Sequence, residues 1–254
     1  MSSANPMKYK PNSPRLLRSL GDGVYFFFPL ILVSGLCLLG VYALDKQAEI
    51  EDQAELNLFP TNRVLEVEIT LEENDWDTIR NQSRNLFEAL ETKRKDGPIK
   101  GPYTWVTAKV KIDGEEFTEV GIRKKGFVGS QNKSRPSLKI KLNHIDEQAQ
   151  ISGLNMLTFN NNQQDISLMS QAMGYALYNV AGSPAPRCGY ARITVNGRNL
   201  GVYSHVESLR EPLLKREFGD DRGTLYEGTV VDFFKGWDKA FEKKIGKDRI
   251  GREK

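Results

Sequence analysis

Residues Val24 to Leu44, VYFFFPLILVSGLCLLGVYAL, run for twenty-one positions without a charge. A helix of that length covers about 30 Å, the thickness of a bilayer's hydrocarbon. In lipid every backbone polar group must be satisfied within the segment, so the run is expected to be helical, with Pro29 near its entry. Lys8, Lys10, Arg15 and Arg18 precede it against a single Asp22, and Asp45, Lys46, Glu49, Glu51, Asp52 and Glu55 follow it. This asymmetry predicts a single-pass membrane protein with a cytoplasmic N-terminus and an extracytoplasmic main domain. Cleavage as a signal peptide, with Val41 and Ala43 as the small pair before the cut, stays open and would leave a secreted chain.

The charge pattern narrows the partners. The formal net charge of +3 belongs to residues 1–23; the rest balances 32 basic against 32 acidic side chains, so no nucleic-acid partner is expected. Cys37 and Cys188 are the only cysteines, which leaves the domain after the apolar run without an internal disulfide. His144 and His205 are the only histidines, too few for a histidine-based zinc hydrolase. The membrane is the expected partner, and the oligomeric state is not written in the sequence.

Five segments follow: a basic cytoplasmic tail (1–23), the transmembrane segment (24–44), an acidic stalk (45–60), a folded domain (61–228), and the start of an incomplete second lobe (229–254). In the domain, Val64–Leu71 alternates apolar and acidic residues, as a half-buried strand does. Glu72–Leu90 is expected to be helical. Asp113-Gly114 and Asn196-Gly197 are hairpin turns between alternating runs. Ser137–Leu142 and Leu154–Phe159 are further strands. A helix over Ile166–Val180, capped by Asp165 or Ser167, carries a broad apolar face, and Leu209–Phe218 forms another before Gly219. A short strand at TLYEG and a new helix after Val230 complete the pattern. The fold class predicted is α+β, mostly antiparallel sheet with packed helices, preceded by one transmembrane helix.

The stretch GIRKKGFVGSQNKSRPSLKIKL, Gly121 to Leu142, places a glycine-containing loop between two strands, with Lys139 and Lys141 opposite Leu138, Ile140 and Leu142. Such an arrangement can fold a loop over phosphates while a strand lysine reaches the same charge. On spacing alone an ordinary hairpin with a solvated lysine face is the better fit, since neither GxxxxGK[ST] nor GxGxxG is present.

Taken in order, GIRKKG…RPSLKIKL, LNMLTFNNNQQDISLMSQAMGYALYNVAGSPAPR and YARITVNGRNLGVYSHVE…GTLYEG resemble the CotH family of atypical kinases related to a spore-coat protein, over roughly Thr104 to Gly228. VNGRNLGVYSHVE is similar to that family's VNGxxxGxYxxxE hairpin. The resemblance implies the N-terminal lobe of a protein-kinase-like fold, ATP and Mg²⁺ as cofactors, and a protein substrate. It further implies Lys139 as the phosphate-binding lysine, the loop with Gly126, Gly129 and Ser130 near the nucleotide, Arg123 near the phosphates, and Glu207 at the junction between lobes, there either to contact nucleotide or to tether the next segment. The sequence departs from the family in two respects. No catalytic or metal-binding aspartate is assignable before Lys254, Asp220, Asp221, Asp232 and Asp238 falling in turn or surface contexts, and the helix Ile166–Val180 has no acidic residue to pair with Lys139. The expectation is therefore a fragment of an ATP-dependent kinase without its catalytic lobe, with a non-enzymatic extracytoplasmic structural or adhesion module as the alternative.

Overall fold

The computed structural model describes residues 58–90, 92–220 and 222–246, all within the unit Asp52–Lys254. Its strands follow the alternation of the sequence. In β1 (Leu65–Thr70) Leu65, Val67 and Ile69 are buried while the residues between them are exposed. β2 (Val106–Ile112) and β3 (Glu115–Lys125) join through Asp113, and β6 (Cys188–Val195) and β7 (Arg198–Glu207) join through Asn196. Both turn residues have φ of +47°, the left-handed conformation that a two-residue hairpin needs. β4 (Ser137–Lys141) and β5 (Met156–Asn160) complete the set.

These seven strands close on themselves in the order β1-β2-β3-β4-β5-β7-β6. Six of the seven pairings are antiparallel; the seventh, β1 with β6, is parallel, Leu65 opposite Ala191 through Ile69 opposite Val195. Closure satisfies both sheet edges and turns one residue in two toward a common interior. Val110, Val120, Ile122, Leu138, Ile140, Phe159 and Ile193 fill that interior with essentially no exposure. Burial of such side chains is worth about 1.5–3 kcal/mol each before chain entropy is counted.

The fold differs from the expected α+β sheet with packed helices on the plan of a kinase N-lobe. The parallel β1–β6 ladder removes the open edges such a sheet would have, and the helices do not form a layer over it. The expected helix Glu72–Leu90 is interrupted: α1 (Glu73–Asn81) ends where Gln82 turns extended, at ψ 141°, and α2 (Leu86–Leu90) follows separately. α1 buries Trp76 and Ile79 and ends on the fully buried Lys124, whose Nζ donates to the Arg80 carbonyl at 2.7 Å. A cation there completes a helix C-terminus. α3 (Ser170–Val180) buries nothing: Met173, Leu177 and Val180, expected to face the core, are exposed. Asp165 accepts from the backbone N–H of Ser167 and Ser170, so the helix opens four residues later than expected. α4 (Glu211–Phe218) stops at Gly219, as expected. The segment expected to open a helix after Val230 instead carries β9 (Phe241–Ile245), which pairs antiparallel with β8 (Leu225–Gly228).

The structure does not bear out the expectation of a single-pass membrane protein. Among the described residues no helix is long and apolar enough to cross a membrane. Val24–Leu44, on which that expectation fell, lies outside them.

Leu58 and Phe59, ahead of β1, are buried with the core of the barrel. His205 of β7 is enclosed between the rings of Phe59, at 4.5 Å, and Phe159, at 4.8 Å. Its Nδ1 shares a 2.8 Å hydrogen bond with the Leu58 carbonyl, while Nε2 is buried with no partner among the described residues. Burial is the main cause that lowers its pKa from 6.5 to about 4; the Leu58 carbonyl opposes the fall. The imidazole is therefore neutral at physiological pH.

Candidate functional site

The outer face of β3 and β4 carries the cations. Arg123 stands opposite Lys139 in the β3–β4 ladder, and Lys125 lies two residues further along the same face. Alternation turns their neighbours Ile122, Leu138 and Ile140 inward, which is why charge concentrates outside the barrel at this point. The connection from α1 to β2 brings Arg84, Lys100 and Tyr103 alongside, and the β8–β9 hairpin brings Glu227, Glu242 and Lys244. Together they line a cleft of about 800 Å³.

This cleft is electropositive and poorly solvated. Burial, then the charges of Lys139 and Arg123, lower Lys125 to a pKa of about 8. Burial, then Arg123, lowers Lys139 to about 8 as well. Burial, reinforced by Arg84, also lowers Arg123, whose guanidinium lies 4.9 Å over the Trp105 ring. The Nε atoms of Arg123 and Arg84 are both buried with no partner among the described residues. Buried donors of this kind call for an acceptor, and an anion supplies one. The carboxylates of Glu227 and Glu242 are drawn onto Lys244, at 3.1 and 2.7 Å, and offset the basic groups only in part.

The turn after β3 borders the cleft with Gly126 and Ser130. Gly126 has φ +129°, and a Cβ there would stand 2.8 Å from Ser130 Oγ. That hydroxyl accepts from the Phe127 N–H at 3.0 Å and donates to the Phe127 carbonyl at 3.2 Å. Tyr103 pins the turn from outside, donating to the Gly126 carbonyl at 2.7 Å. Ser130 thus spends its hydroxyl shaping the turn. Gly129, φ +76°, faces away from the cleft, where a Cβ would overlap the Gln164 side chain.

Of the residues expected from sequence, Arg123, Lys139, Gly126 and Ser130 meet at this cleft. Glu207 does not. It sits in the interior register of the barrel, across from Leu157, which pairs in turn with Ile140. Its carboxylate has 0% exposure and accepts from Arg187 Nη2 at 2.9 Å, the Arg187 N–H at 3.0 Å and Arg216 Nη2 at 2.6 Å. The arrangement ties α4 to the barrel. Sequence reasoning missed Lys125, Arg84, Glu227, Glu242 and Lys244. Lys125 was legible as the i+2 neighbour of Arg123 on one strand face; the others come from segments whose approach to β3 has no local signal.

The closed barrel carries a cationic, partly dehydrated cleft beside a glycine-containing turn, a donor set whose chemistry suits an anion. The family described as CotH kinase protein matches residues 122–252, from the end of β3 through the β8–β9 hairpin, so the chain belongs to the CotH family. It is also similar to the inner spore coat protein H-like protein of Bacillus subtilis (strain 168), 32% identical over 75 residues. That match covers 30% of this chain and 24% of the relative, so the chain spans about a quarter of the relative's length.

Proposed function

We propose that the cleft binds the phosphates of ATP, with Lys139, Lys125 and Arg123 as the cations that hold them, in a CotH-family protein that transfers phosphate to a protein acceptor. The observation that carries the reading is the convergence of these three side chains on one cleft with two guanidinium donors left unpaired among the described residues, where no carboxylate stands in hydrogen-bond contact with any of the three. A triphosphate fits such a donor set: phosphate recognition rests on charge-assisted hydrogen bonds from arginine and lysine. Mg²⁺ takes one or two carboxylates together with phosphate oxygens, and Glu227 and Glu242 are the groups that would hold it at this cleft. ATP supplies the transferable phosphoryl group; this chain's residues orient it and exclude water from its flank.

Binding without transfer is the second reading. It is favoured by the lining of the cleft, in which Glu227 and Glu242, the groups that would hold Mg²⁺, are the two carboxylates among the described residues, with no third to orient an acceptor hydroxyl. Calorimetric titration of the full chain with ATP and Mg²⁺ tests the binding common to both. Lys139→Ala should weaken it by about tenfold, the loss of one phosphate contact. Absence of binding, or equal affinity in the variant, would refute the assignment. Transfer of label from ATP to a protein acceptor then separates the kinase from the binding module.

A further inference from the structure

The Lys125 ammonium, one of the cleft's cations, is held by a neutral group. Its Nζ donates to Oδ1 of Asn160, the last residue of β5. Asn160 is itself fixed, its Nδ2 donating to Gln171 Oε1 at 2.9 Å. Gln171 stands in the first turn of α3, whose start Asp165 sets by accepting from the Ser170 N–H at 2.8 Å. A connected path of amides therefore runs from the start of an outlying helix to a lysine in the cleft.

The geometry points to Asn160 as a positioning residue: its amide oxygen, oriented by Gln171, aims the Lys125 ammonium into the cleft without neutralising it, so that the charge remains available to a bound polyphosphate. This role rests on the polyphosphate reading above. A carboxylate in the same place would also orient the ammonium, but it would compete with the ligand for it and stabilise the charged form. An amide supplies direction alone. The surrounding charges accord with this division. Arg123 on the same strand and Lys139 on β4 press the Lys125 pKa down, with burial the larger cause, and Glu227 of β8 only partly opposes them. Arg84, Lys100, Lys244 and Glu242 complete the cleft's charged lining, and Asp165 borders the neighbouring amide-lined pocket that Lys125 also reaches. Asp165 is committed to the turn before α3.

The test uses the full chain with ¹³C-labelled lysine, the Lys125 signal being assigned by its loss in Lys125→Arg. In the wild type Lys125 should titrate near 8. Asn160→Asp should raise that midpoint by about one unit or more, as a contacting opposite charge does, and Asn160→Ala should lower it. Neither reading needs a ligand, and a purely structural role for Asn160 would not move the two midpoints in opposite directions. With inorganic tripolyphosphate as probe at pH 7, Asn160→Asp should bind about tenfold more weakly than wild type. Unmoved midpoints with undiminished binding would overturn the positioning role while leaving the cleft's ligand intact. A wild-type chain that bound no tripolyphosphate would overturn the ligand reading on which the role depends, whatever the midpoints did.

Discussion

His205 makes the barrel acid-sensitive in a way that one substitution isolates. The imidazole is wholly enclosed between Phe59 and Phe159, and burial lowers its pKa from 6.5 to about 4. A base whose folded pKa is depressed is protonated first in the unfolded chain, so folding loses stability as pH falls from about 6.5 toward 4 and gains it back as pH rises. By linkage the loss reaches about 2.5 kcal/mol at pH 4.5 and levels off near 3 kcal/mol below pH 4. His205→Phe keeps an aromatic ring in the stack but cannot titrate. It leaves the Leu58 carbonyl without its hydrogen bond, a cost of about 1–2 kcal/mol at pH 7.5. Urea denaturation followed by tryptophan fluorescence at several pH values between 4.5 and 7.5 yields both curves. Carboxylates titrate equally in the two proteins, so the difference between the curves belongs to His205. The variant should start less stable and end more stable, with the curves crossing between pH 5 and 6. Parallel curves would refute the argument.

Two further substitutions test the surroundings of the cleft. Glu207→Ala should cost about 3 kcal/mol in urea denaturation, because it removes the buried carboxylate that Arg187 and Arg216 share and leaves a void in its place, while ATP affinity of the folded protein stays unchanged; a stable variant that had lost binding would place Glu207 at the ligand after all. Gly129→Ala combines a strained φ with an overlap on Gln164 and should destabilise the turn by about 1–2 kcal/mol, with a matching loss of ATP affinity measured by calorimetry; unaltered affinity would show that the turn does not shape the site.

The local parts of this fold were legible in the sequence because their causes are local. LEVEIT alternates, and its apolar positions are the buried ones. Asp113-Gly114 and Asn196-Gly197 mark hairpins, and both make them. Closure was not legible, since the parallel pairing of Leu65–Ile69 with Ala191–Val195 joins segments far apart in sequence, and neither carries a sign of the other. Periodicity misled at α3: Met169, Met173, Leu177 and Val180 repeat as a core-facing stripe does, yet they are exposed. An apolar stripe records that a face avoids water, not which surface covers it. At the cleft, strand alternation and hairpin pairing bring Arg123 and Lys139 together, and the resemblance to the family singled them out. Arg84, Glu227 and Lys244 arrive through tertiary approach. Of the two roles offered for Glu207, the contact with Arg216 of α4 matches the tether to the next segment, while its carboxylate turns inward to two arginines rather than toward the cleft.

The central claim is that protonated Lys125 and Lys139 hold a polyphosphate, and its most direct test is the affinity of the full chain for ATP with Mg²⁺ at pH 7 and at pH 9. Both lysines titrate near 8, so both are largely charged at the first pH and largely neutral at the second. Affinity should fall by at least about tenfold between them, and the fall should shrink in Lys139→Arg, whose guanidinium stays charged throughout. Equal affinity at the two pH values, with the chain folded at both, would contradict the account.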